Sequence, residues 1–167
     1  MVKMEVDDPR RMGNHLFAVI QEKFVELPAF LIDDTARTLA LVMMFTWFDL
    51  PDSANVVDTV LEMAKASNKH QVLALQMMRA IVEEFSHELP PKYISRQRRV
   101  VVTFRDKQLK DIFEHSITAM RTAISGLTGT DGQQERLMIL SQALLVQRDC
   151  LAFDFIGLAP DESSDEA

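Results

Sequence analysis

SRQRRVVVTFRDKQLKDIFEHSITAMRTAIS, residues 95–125, decides the fold. It opens on a basic run, Arg96, Arg98 and Arg99, and then becomes a helical stripe. Leu109, Ile112, Phe113, Ile117, Met120 and Ile124 recur at spacings of three and four, which places them on one helical face. Lys107, Lys110, Asp111 and Glu114 fall mostly on the other side. The Val100-Val101-Val102 triplet has β propensity, but propensity yields to a longer helical pattern. A bend is expected near Phe104 to Asp106, where the basic run meets the stripe.

Two helix pairs precede this stretch. Asp8-Pro9 starts the first helix, an acceptor followed by a residue whose missing N–H costs nothing there, and Leu16, Ile20, Phe24 and Leu27 form its stripe. Pro28 interrupts it, because the residue before proline avoids the α region. The second helix runs from about Ala29 to Asp49. The uncharged stretch from Leu39 to Phe48, with Met43 and Trp47, is apolar nearly all round, which predicts packing on more than one side and the most buried element of the chain. Val56 to Ala66 and His70 to Leu89 make the second pair, with Ala74, Met78, Ile81 and Phe85 in register, and Pro90-Pro91 ends it. After the central stretch, Gly126 and Gly129 read as C-terminal caps. Thr130 with Gln133 reads as a capping box. Leu137, Leu140, Leu144 and Leu151 line the last helix.

Helix pairs begin near Pro9, Ser53 and Ser95, 44 and then 42 residues apart. Two-helix units of about 40–47 residues are the signature of HEAT or armadillo arrays, in which neighbouring units cover one another's apolar faces. The expected fold is therefore all-α, a right-handed HEAT-type α-solenoid of about three helix pairs, with a compact six-helix bundle as the alternative. The expected divisions are an extension at 1–8, a repeat segment at 9–158 (pairs about 9–50, 51–91 and 92–158) and an acidic, disordered tail at 159–167. The first helix presents Leu16, Phe17, Ile20 and Phe24, and the last presents Leu137, Met138, Leu144 and Leu145. Neither has a fully polar opposite face, so self-association through uncapped ends is expected.

The chemistry that the sequence excludes is broad. A formal charge of −7 opposes binding to a nucleic-acid backbone. The longest apolar run is far short of a bilayer span, so no membrane insertion is expected. One cysteine, Cys150, rules out an internal disulfide framework and reads as a buried, inert thiol. His15, His70, His87 and His115 show no paired metal-ligand spacing, and there is no glycine-rich phosphate cradle or nucleophile elbow. No cofactor, metal or enzymatic activity is expected. The basic run reads as a solvated helix start, as a receiver for an acidic partner or as a mimic of a localisation signal.

Three motifs carry a resemblance: SRQRRVVVTFRDKQLKDIF at 95–113, DCLAFDFIG at 149–157 and DESSDE at 161–166. In this order they resemble the exportin-seven type of nuclear transport receptor, in the importin-beta superfamily, which carries a basic run, SFRD, LFDIF, then C-L-x-F-D-F-I-G and D-E-S-S-D. Thr46-Trp47-Phe48-Asp49 is similar to that family's G-W-F-D. The correspondence runs from about Met12 to the end, a small part of a receptor several times longer. It implies a HEAT-repeat segment that binds GTP-bound Ran, protein cargo and nucleoporins, shuttling between nucleus and cytoplasm. It also implies inner, partner-facing helices at Ala29–Asp49, His70–Leu89 and Gln133–Phe153. The candidate partner-binding residues are then Asp34, Arg37, Arg79, Glu83, Arg96, Arg98 and Arg99. A generic HEAT adaptor without Ran contact is the competing expectation.

Overall fold

A computed structural model describes residues 9–49, 55–87, 94–128 and 132–153. Its helices are α1 (Pro9–Lys23), α2 (Ala29–Thr46), α3 (Val56–Met63), α4 (Asn68–Ser86), α5 (Ile94–Phe104), α6 (Lys110–Ser125) and α7 (Gln133–Leu151), with no strand among the described residues. A π-helical turn, Arg105–Leu109, joins α5 to α6, so the two form one long helix interrupted where the bend was expected. The all-α expectation is borne out. Asp8, Thr130, residues 1–8 and residues 159–167 lie outside the described residues.

The packing is serial. α1 lies on α2, α2 on α4 and α4 on α7, while α3 backs α4 and α6 backs α7. Each pair folds back on itself. Gly13 near the start of α1 faces Val42 and Leu39 late in α2. Met120 of α6 accepts from Gln147 of α7 at 3.8 Å. The three helices α2, α4 and α7 run side by side and bring their C-terminal ends together. Trp47, Phe85 and Phe153 meet there around Phe104, the last residue before the π turn. Such neighbour-on-neighbour layering is what a helical-repeat array requires.

The structure corrects several sequence readings. α4 is the most deeply covered helix, since α2, α3 and α7 all pack on it, and its residues from Val72 to Phe85 supply more of the core than any other helix. α2 keeps Trp47 and Met43 buried but leaves Phe30, Leu31, Phe45 and Phe48 at least partly in solvent. On α6 the buried face is Ile112, Ser116, Ala119 and Ala123, and Ile124 is half exposed. The small side chains let α7 approach closely, so the buried face lies to one side of the predicted stripe, with Phe113 and Met120 packed at its edge. On α7 the buried face is Ile139, Ala143, Val146 and Cys150, so Leu137, Leu144 and Leu151 point outward instead of lining the core.

One cap reading holds and another changes. Gly126 is the C-cap of α6, as expected, although at φ −86 it lies outside the left-handed region. It matters by lacking a Cβ, which would lie 2.6 Å from Arg136 Nε. Gly132, at φ +68, is the N-cap of α7 and provides no side-chain acceptor. At α4 the cap is Ser67, whose hydroxyl accepts from the His70 N–H at 3.3 Å.

Candidate partner-binding face

The side chains that α2, α4 and α7 carry past the core meet in a ladder of ion pairs. Arg37 on α2 donates to Glu83 at 2.6 Å and to Glu84 at 3.0 Å on α4, and lies 3.7 Å from Asp33 one turn back. Arg79 on α4 reaches Glu83 at 2.8 Å and crosses to Asp149 of α7 at 3.2 Å. Asp149 also accepts from Arg148 at 2.6 Å. Acids and bases therefore alternate across three helices, and Glu83 is shared by two arginines.

The ladder holds its charges in place. Burial lowers the pKa of the Arg37 guanidinium, but the hydrogen bond to Glu84 and the fields of Glu83, Asp33 and Glu84 outweigh it and leave it above the ordinary arginine range. Arg79 is opposed by burial in the same way and raised by Glu83 and Asp149. A partner approaching this face meets both signs of charge, already paired, and must exchange contacts to use them.

Of the candidate residues, Arg37, Arg79 and Glu83 come together in this ladder. Asp34 is exposed and stands outside it. The basic run does not form one patch: Arg99 lies over the Phe48 ring at 5.0 Å, a cation–π contact that ties α5 to the end of α2. Arg98 is exposed, and the Arg96 side chain lies outside the described residues. Between Arg96 and Arg98, Gln97 turns inward, buried, and donates to the His87 carbonyl. Glu84 and Asp149 were not among the sequence candidates. Their partners stand 47 and 70 residues away, beyond the reach of any local pattern, although Arg79 and Glu83 could be read as an i,i+4 pair.

Away from the ladder, a concavity opens between the α3–α4 turn, α6 and α7, with Lys65, Gln71, His115 and Arg136 in its walls. His115 Nε2 meets Gln71 Nε2 at 2.8 Å. Burial, helped by the Lys65 charge, pushes the imidazole pKa down, so the neutral ring accepts from the Gln71 amide. Among the described residues no group of His, Cys, Asp and Glu is arranged to hold a metal ion. No helix among them is long and apolar enough to cross a membrane.

The chain is similar to Exportin-7-B of Xenopus laevis, at 27% identity over 145 residues, and to Ran-binding protein 16 of Drosophila melanogaster, at 28% over 150 residues. Ran-binding protein 17 of Mus musculus is 21% identical over 145 residues. Each match takes in 84% of this chain but only 13–14% of the relative, so the chain spans about a seventh of the length of these proteins. No family model matches, and no solved structure does. The resemblance read from the motifs is borne out: this chain is related to exportin-type receptors through one segment of them. Of the residues that carried that resemblance, Trp47, Phe104 and Phe153 meet in one aromatic cluster in the core, not on the charged face.

Proposed function

We propose that this chain, related to one segment of the exportin-7 and Ran-binding protein 16 receptors, acts as a binding module in nucleocytoplasmic transport. On this reading GTP-bound Ran and protein cargo are its partners, and nucleoporins are met during passage through the pore between nucleus and cytoplasm. The observation that carries it is the similarity over 84% of the chain to proteins named for export and for Ran binding. The motif residues have a structural part in this: they fix the helix ends that hold α2, α4 and α7 side by side. Partner contact belongs to the outward side of those helices, with Arg37, Arg79 and Glu83 in the ladder, Asp34 exposed on α2, and Arg98 and Arg99 on α5.

The generic-adaptor reading draws on one observation, the mutual neutralisation of the ladder charges, which suits a structural role for them equally well. A pull-down with Ran loaded with GTP and with GDP separates the two. Capture of the GTP form over the GDP form supports the transport reading, and equal or absent capture supports the adaptor.

A further inference from the structure

α7 is apolar on two sides. One side is buried by Ile139, Ala143, Val146 and Cys150. On the other, Leu137 is 49% exposed, Leu144 50% and Leu151 77%, with Met138 beside them at 47%. A seven-residue spacing is close to two helical turns, so the three leucines form a straight seam about 21 Å long. The opposite end of the stack is different. The outward residues of α1 include Arg11, Asn14, His15, Gln21, Glu22 and Lys23, all exposed. Ile20 is fully buried, and Leu16, Phe17 and Phe24 are half-buried. The apolar face is thus broad on α7 and reduced on α1 to Met12, 43% exposed, and a head-to-tail stack of copies would set leucines mostly against charge.

We propose that this seam is a self-association surface, on which a second copy of the chain lays its own α7 antiparallel about a twofold axis at Leu144. The seam is symmetric about that residue, so Leu137 of one copy meets Leu151 of the other and Leu144 meets its counterpart. This is the self-complementarity an isologous interface needs. Charge favours the same direction. Arg148, the charged residue on this side, pairs with its own Asp149. Antiparallel packing brings it opposite Leu140, whereas parallel packing would place it against its own copy. Two such seams bury on the order of 1,000 Å² in total, the lower bound of a specific interface, which fits a micromolar dimer. The inference stands apart from the transport reading, since it rests on α7 alone.

Sedimentation of the full chain over a hundredfold concentration range tests it. A monomer–dimer equilibrium that survives high salt is expected, because apolar burial is not screened. Leu144→Glu, at a half-exposed position, should leave helicity unchanged by circular dichroism and weaken the dimer about a hundredfold or more. Leu144→Cys should form a disulfide-linked dimer on oxidation, and Leu137→Cys alone should not, since only a parallel pairing brings that position against itself. A chain that stays monomeric at every concentration, including one whose seam is shielded by its own residues 154–167, would overturn the proposal. So would a dimer indifferent to Leu144→Glu, or cross-linking through Leu137→Cys as efficient as through Leu144→Cys.

Discussion

Trp47 and Phe104 meet edge to face, their ring centroids 6.2 Å apart and their planes at 83°. Phe85 lies 4.4 Å from Phe104, and Phe153 lies 5.9 Å from it on another side. One ring from each of α2, α4 and the end of α7 therefore converges on a residue of the long third-pair helix. Stacked helix pairs have few ways to fix their angle, and a shared aromatic cluster is one of them.

Trp47→Ala and Phe104→Ala should each cost about 3–5 kcal/mol in denaturant unfolding, because both side chains are buried and the cavity would span two repeats. Their double mutant should fall short of additivity by about 0.5–1.5 kcal/mol. A loss below about 1 kcal/mol for either single change would place the ring at an unpacked edge.

The ladder predicts a smaller effect. Glu83→Gln removes the charge shared by Arg37 and Arg79 and should cost about 1 kcal/mol, more than Glu62→Gln, whose pair with Lys65 is exposed. The difference should persist at high salt, since partly buried pairs are screened less. Equal costs would mean that the shared geometry adds nothing.

His115 makes stability depend on pH with a definite sign. Its folded pKa is depressed by burial and by Lys65. The unfolded chain therefore binds the proton more readily, and this contribution is complete above the ordinary histidine pKa and is lost as pH falls below it. Unfolding free energy should drop between pH 7.5 and 5.5, and His115→Gln should remove part of that drop. An unchanged slope in the variant would mean that the ring titrates freely.

Cys150 is buried, and burial, with the Asp149 charge, pushes its thiol pKa up to about 12. Alkylation at pH 8 should be slow in the folded chain and become fast in denaturant. Rapid labelling of the native protein would place the α7 face that carries it in solvent.

Much of this could be read before any coordinates. The Leu39–Phe48 run announced a buried Trp47, and the spacing of Ala74, Met78, Ile81 and Phe85 found part of the core face of α4, because a run without charge and a helix apolar over most of its circumference both demand cover. α7 could not be resolved in this way. Its leucines and its Ile139–Ala143–Val146 set compete for the core, and the smaller residues win because they let α6 and α7 close on each other. The α6 stripe missed by one position, because Ser116, Ala119 and Ala123 are small enough to let α7 close on them while Phe113 and Met120 pack at the edge. The cross-helix pairs of Glu84 and Asp149 depend on how helices stack, which no local period encodes.

Partners are expected on one side of the stack, the outward side of α2, α4 and α7. Hydrogen exchange on the full chain, with and without GTP-loaded Ran, tests this most directly. Slower exchange should centre on α2, α4 and α7 around Arg37, Arg79 and Asp149, with α1 and α3 unchanged. Protection confined to α1 and α3, or none at all at saturating Ran, would contradict it.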